Sequence, residues 1–304
     1  MRDTHRVRIF WVRRRLLIAL VAVALLWLGL GQPGRHRPPH RAEWIRVDDL
    51  RLRALRAGAG DTTLLFLHGY GESLLTWRYL LDRVPPHFRV LAIDLPGFGL
   101  SDKPDTSYDF PAYQRWLGDL LALRTRGPVI VVGHSMGGQL AAGLALDHPD
   151  RIVAVVLIDP AGEGLNPLIS DSAGLVQSAT HWIVFTLGYV LPPHDPGWLR
   201  EPRGGDGYQL SQDSSATTAA RRVLEQFDFG ALTGRFAEIH QPVLLIWGRQ
   251  DPTIPFRIGE RIAEALPCRR FVALQALHRP HQTVPDTVAF ELQRFLAHPA
   301  CDPR

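Results

Sequence analysis

The stretch Pro128–Leu146, PVIVVGHSMGGQLAAGLAL, decides the fold of this chain. A short apolar run rich in β-branched residues leads into Gly-His-Ser-Met-Gly, and a run of small residues with helical character follows. Glycines two positions before and after Ser135 allow a sharp turn where a Cβ would clash, and the following helix N-terminus presents backbone N–H groups. The pattern therefore predicts a strand, a tight turn that exposes Ser135 as a nucleophile, and a helix.

The rest of the chain alternates in the same way, with short apolar runs separated by longer helical patterns from residue 43 onward. This alternation is typical of an α/β fold with a mostly parallel sheet covered by helices. The predicted strands are Trp44–Val47, Arg51–Leu55, Thr63–Leu67, Val90–Ile93, Val129–Val132, Val153–Ile158, Val243–Trp247 and Arg270–Ala273. The predicted helices are Leu74–Val84, Ala112–Leu123, Gly137–Leu146, Ile258–Leu266 and Asp286–Leu296.

Residues 162–239 interrupt the alternation, because they contain helical pieces but no clear strand. An insertion of this length predicts a helical cap over the site. Within it, Trp182–Leu191 is a mainly apolar stretch too short to span a bilayer. It forms either the packed underside of the cap or a surface that touches substrate or membrane; in the second case Trp182 and Phe185 are candidate substrate contacts.

Residues 1–41 form a basic and hydrophobic N-terminal segment with a linker, ahead of one domain at 42–304. Leu16–Leu30 carries no charge and follows three arginines, which predicts a membrane anchor or an exported signal peptide. Gly29 and Gly31 suit cleavage before Gln32, although no A-x-A motif is present. Since more arginines precede the apolar run than follow it, a single-pass anchor would leave the domain outside the cytoplasm.

Charge and composition exclude several classes of function. The chain has a net charge of +4, but residues 1–41 contain nine arginines and one acid, so the remaining residues are net negative. A nucleic-acid-binding domain would carry its positive charge on the folded part, and we predict no such partner. Neither G-x-x-x-x-G-K-[ST] nor H-E-x-x-H occurs, and we predict no metal and no cofactor. Two cysteines, Cys268 and Cys301, leave their redox state open, and the oligomeric state is not predicted.

Two further motifs accompany the serine turn. His68-Gly69-Tyr70-Gly71 follows the third predicted strand, and Asp94–Asp102, DLPGFGLSD, follows the fourth. With the serine turn, these motifs resemble those of the α/β-hydrolase family over nearly all of residues 44–297. The resemblance implies an oxyanion hole made by the backbone N–H groups of Tyr70 and Met136. It also implies that His68 braces its loop and that the Asp94–Asp102 loop is structural.

A nucleophilic serine needs a base and a carboxylate that orients it, and this family supplies them in the order Ser, acid, His. The segment GRQDPTIP places Asp251 just after a predicted strand, where the resemblance puts the acid. Asp159, after the preceding strand, occupies the alternative position used by some relatives. We favour Asp251.

The segment LHRPHQTVP is similar to the family's G-H-x-P-H-x-E-x-P ending, which makes His278 the predicted base and His281 its rival. Leu277 replaces the usual glycine and Thr283 the usual glutamate. Leu277 is expected to alter the loop if that position requires a positive φ. His134, inside the serine turn, is a candidate to support the site or to contact substrate.

The resemblance implies a serine hydrolase of carboxylesterase or lipase type, with a small apolar ester as substrate. A serine nucleophile argues against the family's epoxide hydrolases and haloalkane dehalogenases, which use a carboxylate. Carbon–carbon bond hydrolases remain an alternative, although they often carry a tryptophan soon after the histidine, where this chain has Arg279. A membrane-tethered binding module without activity is the second alternative, because of Leu277 and Thr283.

Overall fold

A computed structural model describes residues 41–164 and 214–301. Its centre is an eight-stranded sheet in the order β1-β2-β4-β3-β5-β6-β7-β8. The strands are β1 (Arg41–Val47), β2 (Leu50–Ala57), β3 (Thr63–Leu67), β4 (Arg89–Ile93), β5 (Val129–His134), β6 (Ile152–Ile158), β7 (Val243–Gly248) and β8 (Arg269–Leu274).

The sheet is mostly parallel, as predicted. Only β2 runs against its neighbours, pairing antiparallel with β1 and β4, while the other paired strands are parallel. Every residue of β3, β5 and β7 is buried. Strands covered on both faces read as continuous apolar runs, which is why their positions could be predicted from the sequence.

Helices and short turns are interspersed among the strands along the chain. They are α1 (Arg78–Leu81), α2 (Phe110–Arg124), α3 (Met136–Asp147), α4 (Ser214–Gln226), α5 (Phe256–Ala265), α6 (Pro280–Thr283) and α7 (Pro285–Ala297), with 3-10 turns at Leu74–Trp77 and Phe236–Glu238. The predicted helix Leu74–Val84 is shorter in the structure: a 3-10 turn at Leu74–Trp77 leads into α1, which ends at Leu81. The four-residue helix α6 was not predicted.

Part of the predicted architecture lies outside the described residues. This holds for the anchor segment Leu16–Leu30, for Trp182 and Phe185, and for most of the predicted cap. The helix α4 is the longest described element between positions 162 and 239. Over the described ranges, no helix is both long and apolar enough to cross a membrane.

A disulfide joins the two cysteines. Cys268 directly precedes β8 and Cys301 follows α7, and their Cα atoms are 4.9 Å apart. The bridge fixes the end of the last helix to the edge strand of the sheet. The two cysteines whose redox state the sequence left open are thus paired in this structure.

Candidate active site

Ser135 lies on a strained turn between β5 and α3. Its backbone has φ 52° and ψ −119°, a conformation that L-residues avoid. The turn is tight because the neighbouring glycines approach other backbone closely. A Cβ on Gly133 would lie 2.2 Å from the Gly137 carbonyl oxygen, and a Cβ on Gly137 would lie 2.2 Å from the Leu67 carbonyl oxygen. The G-x-S-x-G spacing is therefore a steric requirement of this fold.

The structure brings the three predicted side chains together. The Oγ of Ser135 lies 3.0 Å from Nε2 of His278, and Nδ1 of His278 lies 2.7 Å from Oδ2 of Asp251. In the tautomer that satisfies both contacts, the serine hydroxyl donates to Nε2 and Nδ1–H donates to the carboxylate. The arrangement can transfer a proton from the serine to the histidine.

The acid is buried and fixed by backbone donors. Oδ1 of Asp251 accepts hydrogen bonds from the backbone N–H groups of Thr253 at 2.7 Å and Ile254 at 3.0 Å. Burial opposes ionisation, but the charge and hydrogen bond of His278 and these two N–H groups lower the pKa of Asp251. The carboxylate therefore stays charged next to the histidine.

Asp159, the alternative acid, is not the partner of His278. One of its oxygens accepts a hydrogen bond from the Gly248 N–H at 2.8 Å, and its side chain faces Asp251. Burial and the negative charge of Asp251 raise the pKa of Asp159 well above its ordinary value. We infer that Asp159 holds a proton and presents a neutral carboxyl group to Asp251.

The pKa of His278, the predicted base, is lowered. Burial lowers its pKa below the ordinary value of 6.5, and nearby His134 and Arg279 act in the same direction, while Asp251 opposes them. The rival His281 is buried against Thr76, with Nε2 2.9 Å from Oγ1 of that residue. Burial lowers the pKa of His281 well below 6.5, which leaves it neutral.

The predicted oxyanion donors flank the serine. Met136 is the first residue of α3, so its N–H belongs to the helix N-terminus. A Cβ on Gly69 would lie 3.2 Å from Cβ of Ser135, so the backbone leading into Tyr70 packs directly against the nucleophile. Among the described turn, loop and cap hydrogen bonds, neither the Tyr70 nor the Met136 N–H is a donor, and their role in an oxyanion hole stays a prediction.

Two motif residues act as structural supports, as predicted. His68 is fully buried; its Nδ1 lies 2.8 Å from the Gly69 carbonyl oxygen, and its Nε2 accepts from the Leu95 N–H at 2.9 Å. The Asp94 carboxylate pairs with Arg53 at 2.6 Å and accepts the backbone N–H of Leu100 at 2.7 Å. Both side chains hold the loops that surround the serine.

The two departures from the family ending lie on backbone without a positive φ. Among the described residues other than glycine, positive φ values occur at Asp48, Ser135 and Asp159. Leu277 therefore adopts ordinary backbone, and its side chain is 54% exposed beside His278. The Thr283 hydroxyl donates to the Arg279 carbonyl at 3.1 Å within α6. The condition for the expected effect of Leu277, a positive φ at this position, is therefore not met in this structure.

Residues 62–282 match the family described as alpha/beta hydrolase fold. The chain belongs to the α/β-hydrolase fold family. The match covers the serine turn, both supporting loops and the predicted acid and base.

Individual relatives agree with this assignment. An acetyltransferase component of the acetoin cleaving system from Cupriavidus necator is 30% identical over 70% of this chain and 58% of its own length. A pimeloyl-[acyl-carrier protein] methyl ester esterase from Vibrio vulnificus is 24% identical over 76% of this chain and 93% of its own. The structure of a bacterial membrane phospholipase A has a TM-score of 0.71 and 24% identity, covering 96% of this chain and 99% of that one. The chain spans about three fifths of the length of the first curated relatives it matches.

The structure corrects one predicted contact of this α/β-hydrolase-fold chain. His134 is only 1% exposed, and both ring nitrogens face protein groups: Nδ1 lies 3.1 Å from Oε2 of Glu72 and Nε2 lies 2.7 Å from the His278 carbonyl oxygen. The assignment of His134 to substrate binding is therefore wrong, because the ring is buried and each of its nitrogens already has a protein partner. The alternative that it supports the site fits these contacts.

Sequence reasoning missed Glu72. The residue follows the H-G-x-G loop directly, and its side chain is 1% exposed while it contacts both His134 and Arg279. A glutamate within a run of small and apolar residues, GYGESLL, is the signal that could have identified it.

Two described groups of side chains have a composition that could hold a cation. They are Glu72 with His134 and His281, and Asp159 with Asp251 and His278; in each, the candidate ligand atoms lie within 4.8 Å of one another. In the first group Arg279 already supplies a positive charge to Glu72, and in the second Asp251 binds His278 directly. Hydrogen-bonded networks account for both groups, and the absence of a metal stays a prediction.

Proposed function

We propose that the chain is a serine hydrolase that cleaves a carboxylic ester with an apolar acyl group. The observation that carries the proposal is the continuous contact from Ser135 through His278 to Asp251, at 3.0 and 2.7 Å. A strained, accessible serine with a neutral histidine at its Oγ is the arrangement needed for acyl transfer.

In the proposed reaction, His278 takes the proton of Ser135 as its Oγ attacks the ester carbonyl carbon. The Tyr70 and Met136 N–H groups donate to the oxygen that becomes negative. As the intermediate collapses, the C–O bond to the alcohol breaks and His278 returns the proton to the departing oxygen. Water, deprotonated by His278, then attacks the acyl-enzyme, releasing the carboxylic acid and regenerating Ser135.

The ester assignment has separate support from relatives and from the site. One relative is a pimeloyl-[acyl-carrier protein] methyl ester esterase, and one structural neighbour is a membrane phospholipase A. Leu277, which directly precedes the proposed base in the sequence, is exposed and apolar. An exposed apolar residue next to the base in the sequence is compatible with an apolar acyl chain.

A fluorophosphonate probe tests the nucleophile. We expect labelling of the wild type, loss of labelling in Ser135→Ala, and unchanged labelling in Ser215→Ala, which removes an exposed hydroxyl on α4. A panel of nitrophenyl esters of increasing acyl length, set against a vinylogous diketone, then tests the bond. Turnover confined to the diketone would replace ester hydrolysis by carbon–carbon cleavage, and no labelling of folded wild type would favour the binding module.

We also propose that residues 1–41 tether the chain to a membrane with the catalytic domain outside the cytoplasm. The arginines before Leu16–Leu30 support this orientation, and the Cys268–Cys301 disulfide is typical of an oxidising compartment. A reporter fused after Arg304 that is active only outside the cytoplasm would agree with the proposal. Activity only inside, together with free thiols in protein isolated under alkylating conditions, would contradict it.

A further inference from the structure

Behind the catalytic histidine lies a buried set of charged side chains that the proposed reaction does not use. Glu72, His134 and Arg279 form this set, which we name the Glu72 clamp. They come from three separate segments: the turn after the H-G-x-G loop, the end of β5 and the residue after the base.

Glu72 contacts each of these segments. Its Oε2 accepts a hydrogen bond from the Gly69 N–H at 3.0 Å and lies 3.1 Å from Nδ1 of His134, while its Oε1 lies 2.7 Å from Nε of Arg279. Burial opposes its ionisation, but the charges of His134 and Arg279 hold the pKa of Glu72 well below its ordinary value. Glu72 is therefore a carboxylate, which can only accept hydrogen bonds.

The partners of His134 fix its protonation. Nδ1 faces the Glu72 carboxylate and Nε2 faces the carbonyl oxygen of His278 at 2.7 Å. Both partners are acceptors, so the ring can make both hydrogen bonds only when each nitrogen carries a proton. That form is the imidazolium, whose charge the adjacent carboxylate balances.

We propose that Glu72 and the His134 imidazolium are positioning residues that hold the main chain of His278, so that Nε2 stays within reach of Ser135. The proposal rests on the proposed function, since it assigns His278 the role of base. Through Gly69, the same carboxylate also holds the residue before Tyr70, the proposed oxyanion donor. One buried charge thus fixes both the loop of the base and the loop of the oxyanion hole.

The surroundings of His134 are consistent with this role. His281 packs its ring against that of His134, with centroids 4.5 Å apart, and remains neutral. The His278 ring lies on another side, with centroids 4.8 Å apart. Glu72 is therefore the anion that balances His134, and Arg279 competes for the same carboxylate.

The test compares Glu72→Gln with Glu72→Asp. Glutamine keeps the shape but removes the charge that orders His134 and Arg279, so we expect kcat for ester hydrolysis to fall by about 10- to 100-fold, the loss typical of residues that orient a catalytic ligand. KM should change little, because the proposed role of the clamp is to position His278 and not to bind substrate. Aspartate keeps the charge and should recover part of kcat.

Glu291→Gln is the matched control, because it removes the carboxylate of another partly buried ion pair, 2.7 Å from Arg270, away from Ser135. It should lower the melting temperature without lowering kcat. Wild-type kcat in folded Glu72→Gln would overturn the proposal.

A measurement on the wild type keeps the proposal testable if Glu72→Gln does not fold. The ring ¹⁵N signals of His134 at pH 7, assigned through its backbone amide, should show protons on both nitrogens. A single protonated nitrogen would overturn the clamp. This readout needs no substrate, so a chain that shows the imidazolium but no probe labelling would contradict the proposed function and not the clamp.

Discussion

Two carboxyl groups share the space behind His278 with unequal roles. Asp251 contacts the imidazole and has a lowered pKa, whereas Asp159 is buried beside it and burial and the Asp251 charge raise its pKa well above the ordinary value. Like charges this close cannot both ionise cheaply in a buried site, so one proton settles on the group with fewer donors around it. The sequence offered both residues as the acid, and only packing distinguishes them.

This asymmetry predicts unequal effects of two amide substitutions. Asp251→Asn should lower kcat by about 10⁴-fold, because the amide favours the wrong histidine tautomer. Asp159→Asn should leave kcat close to wild type, since the amide is uncharged, as we infer Asp159 to be, and Asp159 makes no contact with Nδ1 of His278. Steady-state ester hydrolysis with both variants checks this, and a comparable loss in Asp159→Asn would mean that Asp159 also orients His278.

The environment of His278 predicts the pH dependence of activity. Burial lowers the pKa of the imidazole below 6.5, so the base stays unprotonated to a lower pH than an exposed histidine would. The acid limb of kcat/KM should therefore have its midpoint below 6.5. The rate should be measured against the folded fraction at each pH, and a midpoint at or above 7 would contradict the assignment of a desolvated base.

At the scale of elements, the tight packing of the serine turn predicts that it does not tolerate a side chain at Gly133. In Gly133→Ala the new Cβ would meet the backbone of Gly137 at 2.2 Å and that of Gly138 at 2.7 Å. Backbone cannot move aside as a side chain can. The substitution should therefore lower the free energy of unfolding by about 1–3 kcal/mol or more.

Gly118→Ala on α2 is the matched control for this prediction. Its Cβ would meet only the side chain of His148, 3.1 Å from Nε2, and alanine is favoured over glycine inside a helix by about 1 kcal/mol. Urea unfolding of both variants checks the difference. Equal stability of the two would mean that the turn can relax, and the steric account of the motif would fail.

Elements with a continuous apolar pattern were predictable, and those fixed by distant contacts were not. The core strands β3, β5 and β7 appear in the sequence as apolar runs, and each lies within one residue or two of its predicted position. The start of β1 is polar and forms by pairing with β2, which no local pattern reports.

The same distinction holds for the candidate site. Ser135, Asp251 and His278 follow strand ends and carry motif signals, so their convergence could be predicted. Glu72 and His134 meet only because the loop after β3 and the end of β5 are adjacent in the sheet. Their pairing is a property of the fold, and the sequence indicated neither the ion pair nor its contact with the His278 loop.

At the scale of the whole molecule, buried titratable groups make stability depend on pH. Burial lowers the folded-state pKa of His68, His278 and His281 below the ordinary 6.5. Unfolding below that pH lets each bind a proton, so their contribution is complete above 6.5 and is lost as the pH falls. Asp159 has the opposite sign, because its raised pKa means that it releases a proton on unfolding.

The net effect is a fold that weakens between pH 7 and pH 5. Three histidines gain protons on unfolding while Asp159 loses one, so the free energy of unfolding should fall by up to about 2.7 kcal/mol per pH unit at its steepest. Replacing one buried histidine isolates the cause: His281→Gln should be less stable than wild type at pH 7, yet its slope should be smaller by up to about 1.4 kcal/mol per pH unit. Urea unfolding at half-unit steps from pH 7 to pH 5 measures both slopes. Parallel curves for wild type and variant would show that His281 does not titrate on unfolding, and the acid sensitivity would then have to come from other groups.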